Sequence, residues 1–381
     1  KKIMKPLLSR KTIPAITLIA LVAGCATSVQ QSPDYNANAS PVTQADSFIN
    51  ASHEKYMKGV NKVGVLSCNV MFAMTTAASA STSGGFRSDA SRATGTIRRS
   101  DVQISVTYSA KGLDETDFQR LADEACSESE KQLASAGFQV VPHSTIKASD
   151  HYQALHSGGR ESPFEYKGDG GTRYLVLARN GETISDQRYI GTAGGLGQAF
   201  KAAAGNASEQ HEGRLIKTLG MTGVNVNILV DFAELESDGN QNFAGLSNKN
   251  SAKVKSKVQL AASGDIRFKP IEQQKCWKRF GKEECMIKPN HQPIFTSKQP
   301  VATSVLFYSS IEDVTTTGDK VTSGLTKTLG MLSALGGTSS NVAKDITRYQ
   351  VNLIPGTYNA ETKKLAGGLV GMAAAKASAS R

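Results

Sequence analysis

The stretch KVGVLSCNVMFAM, from Lys62 to Met74, is a nearly continuous apolar run that contains several β-branched residues. A short run of this composition is typical of a buried strand. We therefore expect a buried strand here, next to which the other segments of the chain pack.

A second strand is predicted in VQISVTYSA. Apolar residues alternate with polar ones at Val102, Ile104, Val106 and Tyr108, which indicates a strand with one buried face. The segment between the two strands is rich in small and polar residues. It is either a disordered loop or an extended hairpin.

The clearest helix is predicted from Asp114 to Ala136. Asp114 is a favourable N-cap residue, and Gly137 is suited to ending the helix. Residues that can form a buried face recur at helical spacing, at Phe118, Leu121, Ala122, Ala125, Ser129 and Leu133. This segment is therefore expected to pack one face on the core.

Further strands and helices alternate along the chain. The pattern predicts strands at Phe138–Val141, Arg173–Arg179 and Val224–Phe232, and a helix at Ser149–His156. This succession predicts an α+β, or mixed α/β, fold class: a sheet-and-helix domain with long hairpin-like insertions.

The last third of the chain is predicted to be rich in strands. The run AKVKSKVQLAA, from Ala252, alternates lysines with mostly apolar residues, so one face of the strand is basic. The run Val301–Ile311 also favours a strand, and we expect the two runs to form an antiparallel pair. The remaining predicted elements are a helix at Leu325–Leu335, a strand at Ile346–Ile354 and a small-residue terminal segment, assigned as helical, from Thr362 to about Lys376.

The N-terminus combines a basic leader with a short apolar segment. The segment from Ile13 to Gly24 has 12 residues, whereas a helix that crosses a bilayer needs about 20. All charged residues of the leader are basic: Lys1, Lys2, Lys5, Arg10 and Lys11. This layout predicts a secretory signal peptide over residues 1–24.

The end of this segment, from Val22 to Cys25, resembles the lipobox of bacterial lipoproteins. The resemblance implies that Cys25 is lipidated, with acyl chains such as palmitate, and becomes the first residue of the mature chain. Because Ala26 stands where an aspartate would mark inner-membrane retention, it also implies a lipid-anchored, mainly periplasmic protein whose first partner is outer-membrane lipid. The alternative is an ordinary signal peptide with a later cleavage site and a free Cys25.

Three further segments are predicted after the leader. Residues 25–57 are polar and lack an apolar period, so they are predicted to be a lipid-anchored tether, with order beginning near Phe48 or Tyr56. An α/β periplasmic domain is predicted over 58–240. A strand-rich hairpin region with a disulfide-bonded loop and terminal helices is predicted over 241–381.

The charge of the chain depends strongly on the leader. The whole chain has a net charge of +11, but 39 basic and 33 acidic residues remain without the leader, a net charge of +6. A modest, scattered excess in an exported protein argues against nucleic acid as a partner.

The cysteines predict two disulfides. Without Cys25 four cysteines remain, an even number in an oxidising compartment. We expect Cys276 to pair with Cys285 across a short loop, and Cys68 to pair with Cys126, which joins the buried strand to the long helix. A zinc site is disfavoured because the spacing contains no CxxC pair.

No motif indicates catalysis. The chain has no GxSxG, HExxH or EF-hand sequence. Each of the six histidines is interpreted as a surface or capping residue, and the acidic pairs Glu128/Glu130 and Glu283/Glu284 as solvated surface. We therefore expect no catalytic residue, metal site or cofactor, and an enzyme is the third functional hypothesis.

One cluster is a candidate for partner binding. The stretch KCWKRFGKEECMIK combines basic and aromatic residues in the loop that the cysteines close, at Lys275, Trp277, Lys278, Arg279, Phe280 and Lys282. Such a loop suits an anionic headgroup surface, a cell-wall polymer or a protein. The alternative is a soluble hairpin that carries ordinary charges.

Short apolar motifs resemble the curli-export lipoprotein family and related periplasmic α/β domains over about Lys62 to Glu236. The resemblance rests on VGVL and on two later groups, Gly137, Phe138, Val140 and Val141, then Leu219, Gly220, Gly223 and Val224. It implies a homo-oligomer whose subunits each send two hairpins into the outer membrane. Met71–Ala110 and Lys253–Ile311 have the length for these hairpins.

The principal functional hypothesis is therefore an outer-membrane lipoprotein that is an oligomeric component of a secretion, transport or envelope-assembly complex. Within it, a curli-export-like pore and a non-porous ring remain open. The alternative hypothesis is a monomeric periplasmic or surface lipoprotein that binds a polymer or protein partner through the basic loop.

Overall fold

The computed structural model describes residues 35–81, 101–167, 171–185, 207–240, 251–279, 281–319 and 342–381. The α-helices are α1 (Pro41–Phe48), α2 (Glu115–Ser135), α3 (His143–Lys147), α4 (Asp150–Ser157), α5 (Ala207–Leu219) and α6 (Pro355–Ala379). Short 3-10 turns lie at Glu54–Met57, Ile271–Gln273 and Pro289–His291.

The strands contribute to one large sheet and one separate hairpin. They are β1 (Ile49–Ser52), β2 (Lys62–Ser81), β3 (Asp101–Lys111), β4 (Gln139–Val140), β5 (Phe164–Lys167), β6 (Arg173–Leu177), β7 (Thr222–Asn240), β8 (Ser251–Lys269), β9 (Gln274–Arg279), β10 (Lys282–Ile287), β11 (Ile294–Ser297), β12 (Val301–Ala302), β13 (Tyr308–Asp313) and β14 (Val342–Leu353).

The sheet is mixed, and β2 lies at its centre. Its main path has the order β1-β11-β8-β7-β2-β3-β14-β13, while β4 and β6 also pair with β2, β5 pairs with β6, and β12 pairs with β8. The predicted α+β fold class is confirmed. Strands from both predicted ranges, 58–240 and 241–381, belong to this one sheet.

The run that predicted the central strand is buried on both faces. Strand β2 pairs in parallel with β7 from Val63 to Phe72, and every residue over 63–73 is buried. A β-bulge at Leu66 reverses the alternation, so Val65 and Cys68 reach the same face. A strand covered on both sides needs no polar face, which explains the continuous apolar run.

Helices α2 and α6 cover what we call the apolar face of β2, β7 and β8. Phe118 of α2 packs against Phe72 of β2, with ring centroids 5.0 Å apart, and against Tyr358 of α6, 6.4 Å away. The Cys68–Cys126 disulfide joins β2 to α2 on the same face. Full burial of each such aromatic contributes roughly 1.5–3 kcal/mol.

Helix α2 begins as the sequence predicts. The Asp114 carboxylate accepts a hydrogen bond from the Asp117 amide at 2.9 Å, and the Asp117 side chain accepts one from the Asp114 amide at 3.4 Å. This capping box satisfies two amides that the first helical turn leaves unpaired.

The predicted tether is wrong over residues 35–57. Ala45, Phe48, Ile49 and Met57 are buried, and β1 pairs with β11. The Tyr35 hydroxyl packs directly against Gly368 of α6, where a Cβ would overlap it. The segment is polar by composition, but its few apolar residues anchor it to α6 and the sheet.

Two other expectations need correction. The strand-prone run Val301–Ile311 forms β12 and the first part of β13, separated by an irregular segment, and only β12 pairs with β8. The long hairpin partner of β8 is β7, not the Val301–Ile311 run. The predicted helix at Leu325–Leu335 lies outside the described residues.

Candidate functional site

Two long hairpins extend from the same end of the sheet. We define the β2–β3 arm as Thr75–Ser81 paired with Gln103–Ser109, and the β7–β8 arm as Ala233–Asn240 paired with Ser251–Val258. Because β2 and β7 run in parallel and in register up to Phe72 and Val230, both arms leave the sheet side by side. The predicted hairpin Met71–Ala110 corresponds to the first arm, whereas the predicted Lys253–Ile311 hairpin is replaced by the second.

The β7–β8 arm alternates charged and uncharged positions. Glu234 stands opposite Lys257 in the register, and both side chains are exposed. In the backbone register of the arm, Glu236 also stands opposite Lys255 and Asp238 opposite Lys253. A facing pair of opposite charge such as Glu234 and Lys257 contributes roughly 0.2–1 kcal/mol to strand pairing.

The intervening positions of this arm are uncharged. Leu235 and Val258 are half-buried and pack against the main core. Leu235 stands opposite Ser256, and Ala233 opposite Val258. The arm therefore has one charged and one weakly apolar side, as period-two alternation requires.

The β2–β3 arm is composed mainly of small residues. Ala77, Ala78, Ile104 and Val106 are half-buried, and Val106 contacts the main core. On its other side β3 pairs in parallel with β14 over its whole length. This arm is thus a three-stranded ribbon, and it carries fewer charges than the β7–β8 arm.

Polar contacts join the bases of the two arms. The Tyr108 hydroxyl of β3 lies 3.0 Å from the Ser256 hydroxyl of β8. The Thr76 hydroxyl of β2 donates to the Asp231 carboxylate of β7 at 2.8 Å. Burial raises the pKa of Asp231, although this bond and two backbone amides favour its ionised form. These contacts hold the arms to one another where they leave the body.

The structure forms both expected disulfides. Cys68 is bonded to Cys126, and Cys276 to Cys285, with Cα–Cα distances of 5.8 and 4.1 Å. The sulfurs of Cys276 and Cys285 lie near Glu283, a grouping of metal-ligand type, but disulfide sulfurs are not thiolate ligands. Cys25 lies outside the described residues.

The basic loop is the β9–β10 hairpin, and it is held against α5. Lys275, Trp277 and Lys278 are exposed, with 40% of Trp277 accessible. Arg279 and Lys282 occupy the strand ends, and Phe280 lies outside the described residues.

Three contacts fix this hairpin on α5. The Gln274 side-chain Nε2 donates to the Gly213 backbone carbonyl at 2.5 Å, and the Arg214 side chain donates to the Glu283 backbone carbonyl at 2.8 Å. Lys217 binds the Glu283 carboxylate at 2.5 Å and holds its pKa below the usual value. The hairpin is therefore docked along its length rather than projecting freely.

A buried histidine cluster was missed by the sequence analysis. His143 Nε2 lies 2.7 Å from Glu182 Oε1, and His156 Nε2 lies 4.0 Å from Glu182 Oε2. His156 and Glu182 are only 8% and 7% exposed, so the interpretation of every histidine as a surface or capping residue is wrong here. Glu130 is also not simply solvated, because Arg179 binds it at 2.6 Å.

Burial controls the ionisation of this cluster. Burial lowers the pKa of His156, which favours its neutral imidazole form. Burial opposes ionisation of Glu182, but its hydrogen bond with His143 helps to hold the pKa of the carboxyl below the usual value. The only local sequence signal was Tyr152 and His156, four residues apart on α4, whose rings lie 4.3 Å apart.

The other face of β2, β7 and β8, opposite the apolar face, is lined by polar side chains, and we call it the polar face. Asn69, Asn227 and Asp265 form a hydrogen-bonded row across the three strands, with both distances 3.0 Å. Next to it, Lys269 is paired with Glu212 of α5, and both side chains are at most 5% exposed. The Lys269–Glu212 pair, together with the Asn225 side chain that donates to Glu212 at 3.2 Å, fastens α5 to this face of the sheet.

Comparison with family models, with curated protein sequences and with solved structures finds no match for the chain. Within the described residues, no helix is both long enough and apolar enough to cross a bilayer.

Proposed function

We propose that the protein is an outer-membrane lipoprotein that acts as an oligomeric component of a secretion, transport or envelope-assembly complex. Its two arms are the part that enters the membrane, and several subunits contribute arms to a common pore. The observation that carries the proposal is that both arms leave the same end of one sheet side by side.

Strand length supports this role. Strands β2, β7 and β8 have 20, 19 and 19 residues, whereas strands of globular proteins usually have about 5–6. A membrane-crossing strand needs about 9–11 residues. The arm segments of these strands, Thr75–Ser81, Ala233–Asn240 and Ser251–Val258, contain seven or eight described residues each, so the described part of each strand covers most of that length.

The alternation of the β7–β8 arm also supports the proposal. Strands that separate lipid from an aqueous lumen alternate apolar and polar positions. In this arm Glu234 and Lys257 occupy one side and Leu235 and Val258 the other. The charged side suits a water-filled lumen, and the facing signs keep it nearly neutral.

The number of strands that one subunit can contribute to a pore also supports an oligomer. One subunit offers five strands, the four of the two hairpins and β14 beside β3, while roughly eight strands enclose an interior that side chains already fill. Several subunits are therefore needed before the arms can surround an open lumen.

The direct test is to purify the full-length lipidated protein in mild detergent, image it and measure conductance in planar bilayers. Rings with a lumen and stable conductance support the pore. Closed rings without conductance contradict the pore but keep the assembly role. A monodisperse monomer contradicts the whole proposal and favours the alternative hypothesis of a monomeric binding lipoprotein.

Matched substitutions in the β7–β8 arm sharpen the test. Val254→Arg, at a half-buried position opposite Ser237 on the uncharged side, places a charge where lipid contact at the bilayer midplane would cost about 2–4 kcal/mol, so we expect loss of conductance. The control is Glu234→Gln on the charged side, which should retain conductance and change its ion selectivity. Equal conductance of both variants and the parent protein would contradict insertion of this arm.

A further inference from the structure

Most of the exposed large apolar side chains in the described part of the chain lie in one region. Five of the seven are found just before, within or just after β13, or at the end of β14: Val305, Leu306, Ile311, Val314 and Ile354. Leu306 alone is 61% exposed. Such a concentration on a protein surface marks an interaction site more often than chance exposure does.

Backbone contacts place these residues along one strand pair at the edge of the sheet. The Ile354 amide donates to the Phe307 carbonyl at 2.8 Å, so Ile354 lies next to Phe307, the residue that follows Leu306. The Val314 amide donates to the Arg348 carbonyl at 2.9 Å and continues the pairing of β13 with β14. We call these five exposed residues the edge patch.

The edge patch lies at one end of the sheet. Strand β13 is the last strand on this side of the described sheet, and β1 is the last on the other. Exposed edge strands are usually shielded by charge, proline or a covering element, because they otherwise pair with another chain. Here the first half of β13 carries hydroxyl and apolar residues, and its carboxylates, Glu312 and Asp313, come only at its end.

The two ends of the sheet differ in charge. Glu312 and Asp313 are exposed on β13, while Lys55 and Lys58 are exposed just after β1 beside a single carboxylate, Glu54. A contact between one end of the sheet and the other end in a neighbouring molecule is heterologous, and such contacts produce rings when the rotation closes.

We infer that the edge patch is a subunit interface that binds a second copy of this chain, at the β1 end of its sheet. This inference rests on the proposed function and names the surface through which the oligomer assembles. Apolar contact from Leu306 and its neighbours supplies the attraction, and the carboxylates of β13 facing Lys55 and Lys58 set the orientation.

The test uses the full-length lipidated protein with Val305, Leu306 and Ile354 each changed to Ser. These side chains are exposed, so far-UV circular dichroism and thermal unfolding should match the parent protein. We expect the concentration at which the oligomer dissociates, measured by mass photometry, to rise at least ~10-fold. The matched control is Trp277→Ser, which changes a 40% exposed apolar side chain on the β9–β10 hairpin, away from both ends of the large sheet, and should leave assembly intact.

A photo-crosslinking residue at position 306 identifies the surface that is contacted. We expect intermolecular crosslinks to the peptide that contains residues 49–58. If the parent protein is oligomeric but the triple variant assembles equally well, or if the crosslinks map elsewhere, this interface is wrong and the proposed function stands. A monomeric parent protein would instead contradict the proposed function itself.

Discussion

The two faces of the same three strands are both buried but have opposite chemistry. On β7, Val224 and Val226 contribute to the apolar face, whereas Asn225 and Asn227 lie on the polar face, and all four are at most 2% exposed. The apolar face is covered by α2 and α6, and α5 attaches to the polar face.

The two faces are therefore stabilised in different ways. Apolar packing is non-directional, so its stability follows the volume that is filled. A polar face depends on complete pairing, since one unpaired buried group costs more than the pair contributes. Substitutions should therefore affect the two faces by different rules.

The largest effect is expected from removing an aromatic ring on the apolar face. Phe118→Ala should lower the free energy of unfolding by about 3–5 kcal/mol, because a cavity replaces a ring that is 1% exposed. Urea unfolding of the protein in mild detergent measures it. Trp277→Ala, on the exposed hairpin, is the aromatic control and should cost less than about 1 kcal/mol; similar losses would contradict the assignment of the core.

Removing the cation from the buried ion pair on the polar face should lower the free energy of unfolding by nearly as much. Lys269→Met leaves the Glu212 carboxylate buried without its cation, which should cost about 3–5 kcal/mol. The double variant Lys269→Met with Glu212→Leu removes both charges and should regain most of that stability. A double variant as unstable as the single one would show that the pair is not the main contact.

Removing either disulfide should cause a loss of stability of intermediate size. Cys68–Cys126 spans 58 residues and Cys276–Cys285 spans 9, so loop entropy alone predicts losses of about 4 and about 2.6 kcal/mol on removal. Cys68→Ala with Cys126→Ala should therefore lower the urea midpoint more than Cys276→Ser with Cys285→Ser. The reverse order would indicate that docking of the hairpin on α5 depends on its disulfide.

The smallest effect should be a dependence of stability on pH through the histidine cluster. Burial lowers the pKa of His156 in the folded state, so the unfolded chain takes up the proton first as the pH falls below about 6.5. Stability should therefore be full at pH 8 and decrease toward pH 5. Glu182, whose folded pKa is also lowered, adds a further loss at still lower pH as it becomes protonated.

The variant His156→Gln isolates this effect. It should flatten the change of urea midpoint between pH 8 and pH 5, while the contribution of His211, whose pKa burial also lowers, remains. An unchanged pH profile in this variant would contradict the role of His156.

Local patterns predicted much of the fold because their causes are local. The N-cap at Asp114 and the spacing from Phe118 to Leu133 predict α2, which the structure confirms from Glu115 to Ser135. The apolar run at Lys62 predicts β2. By contrast, the partner of β8 was predicted wrongly, because two strand-prone runs contain no information about which of them lie next to each other.

The candidate site was less predictable for the same reason. The side-by-side exit of the arms depends on the parallel register of β2 and β7, strands separated by more than 100 residues in the sequence. The histidine cluster joins His143 of α3 and His156 of α4 to Glu182, which follows β6. Each of these residues is ordinary in its own segment.

Local sequence patterns were sufficient for the strands and helices whose periods and caps lie within one segment, and for the two cysteine pairs that the structure joins. They did not show which strands pair, which face of the sheet is polar, or that the apolar residues near β13 lie at the edge of the sheet. Alternation and capping act between neighbours in the chain, whereas pairing, burial and edge position depend on contacts between distant segments.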